Sequence, residues 1–182
     1  MGGGGFSLPR PRPRGPPYFG RNQVASALHQ VGVLLELADA NVFRIRSYQN
    51  GSRTLGTLTD DLWELVQTGR LVEIKGIGKG LASAIDQAMR DGAWPKDWVE
   101  LHENTPPGML EMLDIPGLGP KRIRMMHDAL GVTSIDDLRT ACESGQVAEL
   151  KGFGAKSQTK LLDGIDLLAR FRSRRRLDVG LM

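Results

Sequence analysis

Ile74-Lys75-Gly76-Ile77-Gly78-Lys79-Gly80-Leu81-Ala82 returns twice in this 182-residue chain, as Ile115-Pro116-Gly117-Leu118-Gly119-Pro120-Lys121-Arg122-Ile123 and as Leu150-Lys151-Gly152-Phe153-Gly154-Ala155-Lys156-Ser157. Each copy reads apolar, any residue, Gly, apolar, Gly, then a base within three residues, and each opens an apolar-periodic segment suited to a helix. Glycine reaches positive φ at little cost and has no Cβ, so two glycines around one apolar residue make a tight reversal that a ligand can approach closely. Ile77, Leu118 and Phe153 are expected to turn inward as plugs. The amides of Gly78, Lys79 and Gly80 then lie at a helix N-terminus, where unpaired N–H groups and the helix dipole favour an anion.

Three such reversals have the form of the hairpin in a helix-hairpin-helix element. A nucleic-acid phosphate is the natural anion, and contacts of this kind position a protein without reading bases, so the expected binding is sequence-independent. A second internal signal lies beside the first. Asp60-Asp61-Leu62, Gly69, Glu73, Lys75, Gly76 and Gly78 align without a gap on Asp136-Asp137-Leu138, Gly145, Glu149, Lys151, Gly152 and Gly154, an offset of 76 positions. A fixed offset points to a duplicated supersecondary unit, so the first and third hairpins share their approach helices.

Charge is modest overall, at +3 with a pI of about 9.2, but it is unevenly spread. Residues 1–21 carry four Arg and no acid, residues 22–150 carry 12 bases and 18 acids, and residues 151–182 carry eight bases and three acids. Affinity for DNA in the acidic middle must therefore come from local amides and hairpin bases, helped by the basic third hairpin and tail. The single cysteine, Cys142, excludes an intramolecular disulfide and reads as a small core residue. No run of 18 apolar residues is present, so no membrane span or membrane partner is expected. The Gly-rich and Pro-Arg-rich start lacks the apolar core of a secretion signal, and a cytoplasmic, nucleoid-associated protein is expected.

Taken in order, residues 1–21 are expected to be a disordered basic tail. A first helix opens at Asn22, with Val24, Leu28, Val31, Leu35 and Ala38 on one face. A second carries Ile45, Tyr48, Ser52 and Leu55 on one face, interrupted in pattern by Gly51 and Gly56. A third opens at Thr59 with Asp60 and Asp61 in its first turn and stops near Gly69. The first hairpin and its helix run to Gly92. Trp94-Pro95 marks a boundary, and helical pattern resumes at Pro106-Pro107. Ser134 with Asp137 resembles a capping box, and Leu161, Ile165 and Leu168 give the last helix. No stretch alternates with period two, so the chain reads as all-α: an N-terminal helix-hairpin-helix domain over 22–93, a tandem helix-hairpin-helix domain over 94–173, and a basic tail over 174–182.

Asn22 to Gly76, with Phe43-Arg44-Ile45-Arg46-Ser47-Tyr48 between its first helices, is similar to the N-terminal module of family X DNA polymerases, especially the bacterial type. The resemblance covers roughly residues 22–175. It implies a region that grips gapped or nicked DNA in repair, with Arg44 and Tyr48 in a pocket for the downstream 5′-phosphate. It also implies backbone contacts at Gly76, Gly78, Lys79 and Gly80, at Gly117, Gly119, Lys121 and Arg122, and at Gly152, Gly154 and Lys156. The carbonyls of Val72, Ile74 and Ile77, and those of Leu113, Ile115 and Leu118, fall where the family binds Na+ or K+ bridging to phosphate. No other cofactor is required.

Two departures from the family shape the functional expectation. Ala84 stands where the family's eukaryotic repair member has its Schiff-base lysine, and Gly80 stands where that member has a companion phosphate-binding lysine, so no efficient abasic-site lyase is expected. The sequence ends about where the family's palm domain would begin, beyond Arg174-Arg175-Arg176-Leu177, so no polymerase carboxylates are expected and no catalytic residue is assigned. Asp60-Asp61 and Asp136-Asp137 read as helix caps, and His29, His102 and His127 lack metal-ligand spacing. The leading expectation is a non-enzymatic DNA-binding module. The alternatives are an enzyme fragment, either part of a split polymerase or a weak lyase, and a protein-interaction scaffold serving a separate polymerase or repair protein.

Overall fold

A computed structural model describes residues 7–180, with side chains through Arg175. Helices follow one another as α1 (Arg21–Leu37), α2 (Val42–Thr57), α3 (Leu62–Gln67), a 3₁₀ turn (Leu71–Glu73), α4 (Lys79–Asp91), α5 (Lys96–Asn104), α6 (Pro107–Met112), α7 (Pro120–Leu130), α8 (Ile135–Glu143) and α9 (Ala155–Gly180). The described residues contain no strand, as the missing period-two pattern requires. Two compact units divide between Thr105 and Pro106.

In the first unit α1 buries Val24, Ala27, Leu28, Val31, Leu34 and Leu35. Its principal partner is α2, and burial of each large aliphatic side chain contributes about 1.5–3 kcal/mol. Helix α2 opens under the Asn41 side chain, which accepts the Phe43 N–H at 2.8 Å. It continues through both glycines that interrupt its pattern. Gly51 is buried, and a Cβ there would meet Leu81 at 3.0 Å and Leu28 at 3.3 Å. That contact seats α2 against α1 and α4, so the tertiary gain outweighs the roughly 1 kcal/mol that glycine costs a helix. Helix α3 begins at Leu62, later than the expected Thr59, because the Asp61 carboxylate is its cap and accepts the N–H groups of Trp63 and Glu64 at 2.9 and 3.3 Å.

Two segments differ from the expected plan. Of the tail expected to be disordered, Ser7 to Gly20 is packed on the first unit, while residues 1–6 lie outside the described residues. Phe19 is fully buried and stacks on Trp94 at 4.1 Å. The Tyr18 N–H donates to the Met89 carbonyl at 3.0 Å, and the Trp94 indole donates to the Pro9 carbonyl at 2.8 Å. Aromatic anchors at the end of a Pro-Arg run supply the apolar area that its composition lacks. Helix α1 accordingly starts at Arg21, not Asn22, with Gly20 as its cap. The second difference is α5, which the boundary expected at 93/94 places in the tandem domain. Trp98 on α5 is buried in the first unit's core, so residues 94–105 belong to that unit.

The second unit packs α6 to α9 around Met109, Met112, Ile115, Leu118, Ile123, Met126, Leu138 and Ile165. Gly164 lets α9 lie against the second hairpin, since a Cβ there would stand 2.9 Å from the Ile115 Cγ2. Helix α9 does not stop before the expected basic tail but runs on to Gly180. Cys142 is buried in this core, as expected of a small core residue, and burial pushes its thiol pKa up, with the Glu143 charge adding to the shift. No helix among the described residues is long and apolar enough to cross a membrane.

Candidate nucleic-acid interface

Each hairpin begins with the same turn. The N–H of Ile77 donates to the Ile74 carbonyl at 3.1 Å, that of Leu118 to Ile115 at 3.2 Å and that of Phe153 to Leu150 at 3.0 Å. Its third residue is the first glycine of the motif, with φ of +99° at Gly76, +82° at Gly117 and +87° at Gly152. A four-residue turn with positive φ at that place is type II, which requires glycine there and welcomes the proline found at Pro116. The second glycine then caps a helix through its carbonyl, which accepts from Ala82 at 2.9 Å, from Ile123 at 3.1 Å and from Gln158 at 3.0 Å. Ile77 and Leu118 are buried plugs, and Phe153 is half-buried.

Apart from the general preference of a helix N-cap for glycine over alanine, the second glycine has no reason within the chain to be glycine. Gly78, Gly119 and Gly154 are absent from the positive-φ positions, and nothing lies within 4 Å of the place a Cβ would occupy at any of them. Gly80 is equally open. Neither conformation nor internal packing calls for these glycines, and the open space lies beside the first amides of α4, α7 and α9. Those amides have no intrahelical acceptor. Lys79, Lys121, Arg122 and Lys156 are exposed and follow the three glycines within three residues. Pro120 removes one donor from the second hairpin, leaving the amides of Lys121 and Arg122.

The offset of 76 positions is visible bond by bond. Gly69 and Gly145 have φ of +68° and +80°. The Arg70 N–H reaches the Leu65 carbonyl at 2.9 Å and the Gly69 N–H reaches Val66 at 3.2 Å; Gln146 to Ala141 at 3.0 Å and Gly145 to Cys142 at 3.2 Å repeat the pair. This is a Schellman stop used twice. The caps differ, however. Asp61 is itself the cap of α3, whereas Ser134 caps α8 and the matching Asp137 reaches back to Thr133, accepting its N–H at 3.1 Å and its hydroxyl at 3.0 Å. Those bonds, with the Ser134 hydroxyl contributing less, hold the Asp137 carboxyl below its ordinary value.

Arg44 and Tyr48 lie one turn apart on α2, and α5 engages both. The Arg44 guanidinium is 3.4 Å from the Asp97 carboxylate on an exposed surface. Tyr48 is buried, its ring meets Trp98 edge-on at 5.6 Å, and its hydroxyl accepts the Trp98 indole N–H at 2.9 Å. Its own O–H remains able to donate. The sequence alone does not single out Asp97 or Trp98. Ala84 is half-buried against the first unit's core. The described residues contain no group of three or more His, Cys, Asp or Glu able to hold a metal ion. His127 sits with Nδ1 3.2 Å from the Val132 carbonyl, in a structural place.

Two family matches fall on this geometry. Residues 20–93 match the family described as Helix-hairpin-helix domain, and residues 109–166 match the SAM-like Helix-hairpin-helix tandem. The chain carries two helix-hairpin-helix domains. The first helix-hairpin-helix domain holds the Ile74–Ala82 hairpin, and the tandem holds the other two. The chain is also 30% identical over 145 residues to DNA polymerase/3′-5′ exonuclease PolX of Bacillus subtilis (strain 168). That match takes in 80% of this chain and 25% of the relative, so the chain spans about a quarter of the relative's length. Both family matches and this relative agree with the resemblance to family X polymerases drawn from residues 22–175. Within the tandem, the Arg122 guanidinium lies 5.3 Å over the Phe153 ring.

Proposed function

We propose that the chain binds DNA through backbone phosphates at its three hairpins, without reading sequence, in the setting of a repair polymerase. The observation that carries this reading is the trio Gly78, Gly119 and Gly154, open to solvent beside helix N-termini and bases and needed neither by conformation nor by packing. Glycine there lets a phosphate reach the amides. The relative's name, a DNA polymerase and 3′-5′ exonuclease, supports the same ligand. The preferred form is gapped or nicked duplex with a 5′-phosphate, taken by Arg44 and by the Tyr48 hydroxyl. The six hairpin carbonyls suit a hard monovalent cation, because Ile74 and Ile115 each spend only one lone pair on the turn; Na+ or K+ there would bridge to the phosphate.

The test is equilibrium binding to a gapped duplex with and without the downstream 5′-phosphate, across a salt series. Gly78→Ala, Gly119→Ala and Gly154→Ala are expected to cost no more than about 1 kcal/mol of stability, alanine being the poorer N-cap, while each weakens binding about tenfold, the cost of one lost charge-assisted contact. Arg44→Ala and Tyr48→Phe are expected to remove the advantage of the 5′-phosphate while sparing the rest. Equal binding of all variants to every duplex would sink the reading. We further propose that the region is not a lyase, since Ala84 offers no amine. Borohydride trapping on a 5′-deoxyribose phosphate substrate should give no adduct, and an adduct abolished by Lys79→Ala would overturn this.

A further inference from the structure

The segment ahead of α1 is, like the end of α9, a basic part of the chain that the matched domains leave out, since the first of them begins at residue 20 and the second ends at residue 166. It carries Arg10, Arg12 and Arg14 in alternation with proline and has no acid in its first 21 residues. All three arginines are exposed, and none takes part in an ion pair of the described residues. Charges of this kind on a free tail would mean little. Here the backbone beneath them is fixed at several points. The Trp94 indole holds the Pro9 carbonyl at 2.8 Å, the Arg12 N–H closes a loop onto the Tyr18 carbonyl at 2.8 Å, and the Tyr18 N–H holds Met89 at 3.0 Å. Phe19, fully buried on Trp94, anchors the end.

The anchor also leads to the candidate phosphate pocket. Trp94 stacks on Trp98 at 5.7 Å, and Trp98 donates to the Tyr48 hydroxyl at 2.9 Å. Two ring contacts thus separate the residue gripping Pro9 from the residue assigned to the 5′-phosphate. We propose that Pro9–Arg14 is a second phosphate-binding element, an arm ordered before it binds that extends the first domain's grip along the DNA backbone. A fixed, proline-stiffened backbone has little conformational entropy left to lose on contact, so only the side chains must be ordered, which distinguishes the arm from a basic tail of equal charge. The proposal rests on the reading of the chain as a DNA binder and adds to it a site outside the hairpins.

The experiment uses the full chain and a 5′-phosphorylated gapped duplex oligonucleotide, with log affinity measured against log salt. Replacing the three arginines together (Arg10→Gln/Arg12→Gln/Arg14→Gln) should lower the magnitude of the slope by about 2 to 3, one phosphate for each arginine. Adding Gly2→Arg/Gly3→Arg/Gly4→Arg to that triple variant restores the net charge ahead of the anchored segment, and should not restore the slope. An unchanged slope in the triple variant, or full recovery on moving the charge, overturns the arm. Lys121→Gln/Lys156→Gln serves as the reference. If that pair also leaves affinity and slope unchanged, it is the hairpin reading that fails; if the pair weakens binding and the arginine triple does not, the arm alone is wrong.

Discussion

The first and third hairpins are the same turn set in different surroundings. Residues 64–82 and 140–158 share a Schellman stop, a type II turn and a glycine carbonyl cap, bond for bond at an offset of 76. Their plugs behave differently. Ile77 is 3% exposed, and Gly76 faces the Thr54 hydroxyl at 2.9 Å from a would-be Cβ, so the first hairpin is built into the core of its own unit. Phe153 is half-buried under the Arg122 guanidinium, and Gly152 has open space. The third hairpin therefore leans on the helix that follows the second, through a residue that also serves as one of its bases. The same stop, turn and cap are compatible with two modes of support, one by a core and one by a neighbouring hairpin.

The largest expected contrast is at the plugs. Ile77→Ala should cost the first unit about 2–5 kcal/mol, as for a buried aliphatic side chain, and Phe153→Ala less than the roughly 3–5 kcal/mol of a fully buried phenylalanine. Tryptophan fluorescence separates them, because Trp63, Trp94 and Trp98 all lie in the first unit. A larger loss at Phe153 would mean that the tandem, not the first unit, has the tighter hairpin. Next come the turn glycines. Gly152→Ala should cost about 1–2 kcal/mol from backbone strain alone, and Gly76→Ala more, because Thr54 must also move. Equal denaturant midpoints would remove Thr54 from the explanation.

A smaller effect is expected from Arg122→Lys, which keeps the charge but gives up the planar face over Phe153. About 0.5–1 kcal/mol of the second unit's stability should go, with DNA affinity falling less than in Arg122→Ala. The smallest concerns acid. Because the Asp137 carboxyl is held below its ordinary 3.8, its contribution is complete above that value and fades as pH falls through the lower folded one. Asp137→Asn should therefore flatten the acid limb of the second unit's stability curve. Circular dichroism melts between about pH 2 and 5 check this, and an unchanged limb would assign acid unfolding to other carboxylates.

Much of the candidate site was legible because it is local. A glycine at the third place of a turn, a second glycine before a helix and a base just beyond occupy fewer than ten residues, and their bonds close within the same span. Of the Asp60-Asp61 pair, read as capping, Asp61 caps α3 and Asp60 does not. What stayed hidden was non-local. Nothing in Lys96 to Asn104 announces that Asp97 and Trp98 will meet Arg44 and Tyr48, about fifty residues earlier. Tyr18 and Phe19 look like incidental aromatics in a Pro-Arg run until Trp94 is beside them.

By itself, then, the sequence determined three hairpins, the duplication that relates two of them, and the helical class, since each follows from dihedral preference and apolar period within a few residues. Only the tertiary structure decided that the N-terminal arginines stand on a fixed support, that α5 completes the first unit and engages Arg44 and Tyr48, and that Arg122 backs Phe153. The physical reason is that these depend on which distant apolar surfaces find each other. A buried tryptophan supplies that energy from its neighbours, and its own sequence window does not name them.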